Sequence, residues 1–344
     1  MAFYQSLRDE TRYQRGTSEP GQAGWIAERL LRLRALLNAQ IVSRRRPDSL
    51  VIGSWNIQHF DAGKPRLAES FHYIAEIIDK FDLCAIQEVR DQSSVERLVR
   101  LLGPSWDYFI NDSSGDGRGN HERMAFVFNR NRILFWHLIG ELVIPKGALP
   151  NDEQFGRTPF FAAFQAGWFK FTLCSAHIVF TEEEGRPLRE DEIRVVGEEL
   201  AKRAKETEEV HVLIGDLNTD DQTSEGIVAL KKAGFLVPEF GPTSLKGKKH
   251  YDHIAFAGPA DESHMLAKGA IAWNEAVFTP ADMEAYRTPA ERTYEKTYAD
   301  WPGSYLDWSL REMSDHLPVW IELKIDYSNE YLSRTQELKA GERP

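Results

Sequence analysis

From Leu50 onward the chain is built of short apolar runs separated by helix-period segments or polar turns, and this rhythm limits the possible folds more than any other feature. Leu50–Trp55, Leu83–Gln87, Met124–Asn129, Ile133–Ile139, Phe160–Phe164, Phe169–Ala176, Val210–Ile214, Tyr251–Phe256 and Leu317–Ile325 predict strands. Leu67–Lys80 and Val95–Leu102 predict helices, and Ile193, Val196, Leu200 and Ala204 form another helical stripe. Several strands are close enough to pair as hairpins, and the helices between them are fewer. The expected class is therefore α+β, a two-layer β-sandwich of mixed sheets flanked by helices rather than a doubly wound parallel sheet.

Two segments depart from this rhythm. Residues 1–49 hold nine arginines, no lysine and five acids, a charge of +4 in a chain of net −11. Within them Ile26, Leu30, Leu33, Leu37 and Ile41 step by four and three, which predicts a basic amphipathic helix running to Arg44-Arg45-Arg46 and closed by Pro47. Its apolar face must pack on something: the main domain at 50–326, a protein partner, or a nucleic acid reached by its arginines. The second segment, 273–312, has few strand signals and many aromatics (Trp273, Tyr286, Tyr294, Tyr298, Trp301, Tyr305, Trp308), and reads as an insertion. It could pack on the sandwich, or cap a pocket by stacking. Residues 327–344 form a tail expected to fray from Gln336.

The chemistry lies where predicted strands end. Asn56 in SWNIQHF, Glu88 in AIQEVRD, His177 in CSAHIVF, Asp216 and Asn218 in LIGDLNTD, Asp252 in YDHIAF, and Asp315 and His316 in MSDHLPVW each follow or flank an apolar run. One such residue is usually a turn former or a cap. Eight of them, with two amides, four carboxylates and two imidazoles, are the parts of a site. Glu88 and Asp315 with an Asn amide offer the hard oxygens that suit Mg²⁺ or Mn²⁺. Two histidines near carboxylates suit general acid–base catalysis. Together they point to phosphoester hydrolysis, in which positioning and charge neutralisation dominate.

WNIQHF, IQEVRD, ERMAFVFNR, GDLNTD, YDHIAFAG and SDHLPV, in this order over residues 50–326, resemble the endonuclease/exonuclease/phosphatase superfamily, and within it the deoxyribonuclease I branch. The resemblance implies a two-layer sandwich with its site at one edge. It implies Glu88 as the metal-binding glutamate, with Asn56 and Asp315 beside the metal, and Asp216 and Asn218 positioning water and the scissile phosphate. It also implies His177 and His316 as catalytic histidines, leaning on Glu122 and Asp252 respectively. Either His316 or the Asp216 side would deprotonate water, while the other histidine and the metal stabilise the leaving oxygen. Arg90 and Arg157 match arginines that meet the DNA minor groove and phosphates; the plainer alternative for both is a salt bridge.

Other features of that branch are missing. Its disulfides have no counterpart, its calcium loops cannot be traced, and His253 stands where it has arginine. Cys84 and Cys174 lie inside predicted strands and cannot build a disulfide framework, which suits a reducing compartment. No apolar run approaches the roughly 18–20 residues of a bilayer span. The first residues, MAFYQSLRDETRYQRG, carry charge where a signal peptide needs an apolar core, so the expected location is cytoplasmic. The net charge of −11 argues against binding nucleic acid by bulk electrostatics. Acids that hold a divalent cation attract phosphate instead, so the expected activity is a metal-dependent nuclease with little sequence preference, acting on DNA. The same site could serve a small or lipid phosphoester such as an inositol phosphate, sphingomyelin or a nucleotide.

Overall fold

The computed structural model describes residues 2–4, 7, 19–41, 46–61, 66–112, 121–180, 187–259 and 262–337. Eleven strands in these residues form two sheets. The first sheet has the order β10 (Met265–Ala270), β11 (Val319–Lys324), β1 (Ser49–Phe60), β2 (Leu83–Val89), β4 (Arg123–Asn129) and β3 (Trp106–Ile110). The second runs β5 (Leu134–Glu141), β6 (Phe160–Ala166), β7 (Phe169–His177), β8 (Val210–Asp216) and β9 (Asp252–Ala257). β1–β2 and β7–β8 are parallel, and the remaining pairs are antiparallel.

The central strands read as nearly continuous apolar runs because both of their faces are covered, whereas the edge strand β5 is largely exposed. Leu50 and Ile52 of β1 point into the core between the sheets, where they meet Phe126, Phe164, Phe171, Ile214 and Ile321. Val51, Trp55 and Ile57, the alternate residues, point outward into a second core. That layer is built from α1 (Ala23–Gln40), α2 (Ala68–Ile78), α3 (Gln92–Leu102), α6 (Met283–Tyr294) and α7 (Trp301–Glu312). A third core covers the outer face of the second sheet with α4 (Arg189–Thr207) and α5 (Glu225–Lys232). Cys84 lies in one outer layer and Cys174 in the other, both buried. A last helix, α8 (Ser328–Glu337), occupies the start of the expected tail; residues 338–344 lie outside the described residues. No helix among the described residues is long and apolar enough to cross a membrane.

α1 stops short of the sequence expectation. It ends at Gln40, where the Ile41 N–H closes the last turn on the Leu37 carbonyl at 2.9 Å; Arg44 and Arg45 lie outside the described residues. Its apolar stripe is fully used within the chain, with Ile26, Leu30, Leu33 and Leu37 buried. Each such side chain contributes about 1.5–3 kcal/mol. Its arginines meet acids of the same layer: Arg29 pairs with Asp282 at 2.7 Å and Arg34 with Glu76 at 2.7 Å. The aromatic segment 273–312 is the other half of this layer. Trp273, Tyr286, Trp301, Tyr305 and Trp308 are buried, and the Trp25 indole donates to the Tyr286 hydroxyl at 2.9 Å. The two segments that depart from the strand rhythm thus pack on each other. The stacking cap expected as one use of the aromatics is not what they form, because their rings fill a core.

Candidate active site

The sandwich brings the strand-end residues together at one edge. His177 ends β7, Asp216 ends β8 and Asp252 opens β9, and the register sets them side by side, with His177 opposite Asp216 and Asp216 opposite Asp252. Gly215 makes this possible. Its φ is +133°, and a Cβ there would run into the Ala176 carbonyl oxygen of β7. From the facing sheet come Asn56 of β1 and Glu88 of β2, with Asp315 and His316 just before β11. His316 is fixed through its backbone: its carbonyl accepts from the Trp55 indole at 3.0 Å, and its N–H donates to Ser314 Oγ at 2.9 Å.

Asp216 is the centre of the arrangement. Its Oδ2 accepts from Asn56 Nδ2 at 2.9 Å and lies 3.5 Å from His177 Nε2 and 3.7 Å from His316 Nε2. Each histidine is backed by its own acid on the other ring nitrogen. Asp252 Oδ2 is 2.8 Å from His316 Nδ1, and Glu122 Oε2 is 3.3 Å from His177 Nδ1. Burial alone would depress His316, but the carboxylates of Asp252 and Asp216 outweigh it and hold the imidazole well above its ordinary range. Burial raises Asp216, with the two histidines opposing. Burial would raise Glu122 too, yet its bond to His177 and the guanidinium groups of Arg157 and Arg90 bring it down to about 2.

Those two arginines take the salt-bridge alternative. Arg90 Nη2 donates to Glu122 Oε1 at 2.9 Å, and Arg157 Nε lies 2.8 Å from Glu122 Oε2. Arg157 lines the site cavity and is 10 % exposed at its side chain, whereas Arg90 is 28 % exposed and outside the cavity lining.

Glu88 receives Asn56 Nδ2 at 3.0 Å on one oxygen and the His59 N–H at 2.8 Å on the other. Burial would raise it, but the His177 charge and these donors hold it below the usual carboxylate range. Asp315 lines the same cavity and is raised, first by burial and further by the negative charge of Glu88. Asn56 Oδ1 is buried and has no hydrogen-bond partner among the described residues. An amide oxygen left without a donor next to two converging carboxylates fits a hard divalent cation. His59, Glu88 and Glu122 also bring ligand atoms within 4.8 Å of one another, but Glu122 is committed to its arginines and His177.

His59 is a residue that strand periodicity misses. Alternation places it on the face opposite Asn56, but its φ is +47°, and the β1–β2 register shifts between Asn56 and Phe60, turning the ring to within 3.3 Å of Glu88. Glu88 itself has φ +59° beside a shift in the β2–β4 register. Tyr251 and Phe180, both lining the cavity, are also beyond a reading that looks for ionisable groups. Asn218 is held by donating from Nδ2 to the Ile178 carbonyl at 2.8 Å, and its N–H donates to Asp216 Oδ1 at 2.9 Å. The cavity is about 400 Å³ and also touches Glu192 and Gln154.

Two acid-backed imidazoles facing one buried carboxylate, with oxygen ligands alongside, make an arrangement suited to acid–base and metal-assisted chemistry. Comparison with known proteins agrees. Residues 53–316 match the Endonuclease/Exonuclease/phosphatase family, and the chain belongs to it. A deoxyribonuclease of Thioalkalivibrio sp. (strain K90mix) is 28 % identical over 178 residues, covering 49 % of this chain and 46 % of that protein. Deoxyribonuclease-1 of Equus caballus is 30 % identical over 125 residues, 34 % of this chain and 43 % of that one. The alignment therefore spans less than half of each relative's length. Among solved structures, a mannosyl-6-phosphatase of Bacteroides thetaiotaomicron VPI-5482 shares the fold, with a TM-score of 0.54 at 17 % identity over 80 % of this chain and 99 % of that one.

Proposed function

We propose that the protein is a divalent-metal-dependent phosphodiesterase whose substrate is DNA, cut internally with little regard to sequence. The observation that carries this reading is the pair of histidines set on either side of Asp216, each with an acid on its far nitrogen. Diester cleavage needs one group to take a proton from water and another to give a proton to the leaving oxygen, and the two histidines with Asp216 offer groups for both. His316, held cationic by Asp252, stands ready to donate or to stabilise negative charge. Asp216 takes the proton of the attacking water, or His316 does so after losing its own. Asn218 and His177 line the cavity from the other side and orient the phosphate.

Glu88, Asn56 and Asp315 would hold Mg²⁺ or Mn²⁺, with His59 next to them. Bound there, the ion would neutralise charge on the phosphoryl oxygens. The matched deoxyribonucleases support the nuclease reading. Arg157 reaches the cavity while anchored to Glu122, so it presents its remaining N–H groups to a phosphate from a fixed position.

A second reading, a small phosphoester as substrate, is favoured by one observation: both arginines are tied to Glu122 rather than free to follow a polymer. The test pairs circular single-stranded DNA and supercoiled plasmid with a panel of phosphate monoesters, all in Mg²⁺ or Mn²⁺. Conversion of circles to linear or nicked forms is the expected result. Release of inorganic phosphate from the monoesters with both circles intact would overturn it.

A further inference from the structure

We propose that Phe180 and Tyr251 form a ledge on which an unpaired nucleobase stacks beside the scissile phosphate, so that the site takes single-stranded or frayed DNA in preference to paired duplex. This rests on the nuclease reading above and specifies its substrate.

The rings are placed for it. Phe180 is 58 % exposed, although its surroundings in the cavity are largely polar. A single exposed phenylalanine on a protein surface is ordinary. This one stands at the mouth of the site, with its ring centroid 6.3 Å from that of Tyr251 at an interplanar angle of 68°. Tyr251 in turn lies 5.6 Å from the His316 ring, tilted by 35°. His316, Tyr251 and Phe180 thus form a row leading outward from the reacting centre. The Arg189 guanidinium, 6.0 Å from the Phe180 ring, hydrogen-bonds to the Asn218 carbonyl and ties the ledge to a residue of the site. A base resting on these rings keeps its own phosphate within one sugar's reach of His316.

Stacking on a protein ring needs a free π-face, and a base inside a duplex has both faces covered. The cavity, about 400 Å³, is near the lower end of small-ligand sites and has room for a single nucleotide. Following a duplex would require arginines free to reach along it, whereas Arg90 and Arg157 are both held by Glu122. Among the described residues lining the cavity, Phe180 and Tyr251 supply the only benzene rings.

The experiment measures kcat/KM in Mn²⁺ for one sequence as a single strand, as a blunt duplex and as a duplex with an unpaired overhang, with a base-free deoxyribose phosphate oligomer as reference. Wild-type protein should cut the single strand at least tenfold faster than the duplex, and the overhang at its unpaired end. Phe180→Leu and Tyr251→Leu should each lower the ratio of single-strand to base-free cleavage by about ten- to a hundredfold, and Tyr251→Phe, which keeps the ring, should restore it. Cleavage of duplex as fast as single strand, or a ratio unmoved by both leucine variants, would overturn the ledge while leaving the nuclease reading intact. If none of the four DNA forms is cut while phosphate monoesters are, the nuclease reading fails and the ledge with it.

Discussion

Replacing Asp252 by Asn removes one charge from the best-defined pair in the site. Asp252 Oδ2 lies 2.8 Å from His316 Nδ1, both side chains are buried, and this carboxylate is foremost in holding His316 cationic against its burial. A hydrogen bond to a charged group contributes about 1.5–3 kcal/mol, which as lost transition-state stabilisation is a drop of roughly 10- to 150-fold in kcat. The asparagine keeps the volume, so KM and the melting temperature should move little. The assay is initial-rate hydrolysis of bis(4-nitrophenyl) phosphate in Mn²⁺ by wild type, Asp252→Asn, His316→Ala and the double variant. Because Asp252 acts through His316, the double variant should be no slower than His316→Ala alone. A kcat for Asp252→Asn within threefold of wild type, with the fold intact, would show that Asp252 does not act through His316. So would strictly additive losses in the double variant.

Three further outcomes are expected. Glu122→Gln should cost more than Asp252→Asn, because His177, Arg90 and Arg157 all lose a charged partner, and thermal unfolding should fall with activity; a variant that keeps its melting temperature would contradict this. Gly215→Ala should destabilise the protein and abolish turnover, as its Cβ meets the Ala176 carbonyl; a soluble, active variant in denaturant titration would count against the β7–β8 register. His253 is pushed down to about 4 by burial, from an ordinary value near 6.5, so between those pH values the unfolded chain binds the extra proton. Stability is then complete above about pH 6.5 and falls by about 3 kcal/mol as the pH drops to 4. Nuclear magnetic resonance titration of this ring near 6.5 in the folded protein would disprove it.

The sandwich was legible because burial of both sheet faces writes each central strand as an apolar run. β3 and β10 carry no such run: they are the edge strands of the first sheet and only partly covered, so their pattern is weaker. The strand-end residues were legible for the same reason as the strands, since a polar side chain that follows an apolar run emerges at the sheet edge. Period-two reasoning fails at a bulge, where left-handed φ values at His59 and Glu88 re-aim side chains. It also says nothing about ion-pair choice. In sequence Arg90 and Arg157 can be groove and phosphate contacts or members of salt bridges, and only the folded chain shows that one carboxylate, Glu122, holds both. The basic helix and the aromatic segment each looked like an addition to the sandwich. Their mutual packing depends on contacts such as Trp25 with Tyr286, more than 250 residues apart, which no local pattern reports.

Phosphoester cleavage by this chain is expected to depend on His316 and on the oxygen ligands centred on Glu88. The most direct measurement is the rate of bis(4-nitrophenyl) phosphate hydrolysis by chelator-stripped protein as Mn²⁺ is added back, for wild type, Glu88→Gln and His316→Ala. The stripped wild type should be inactive and recover saturably. Glu88→Gln should need at least tenfold more metal, and His316→Ala should stay at least a hundredfold below wild type at any metal concentration. Full activity without metal, or full activity in His316→Ala, would contradict these roles.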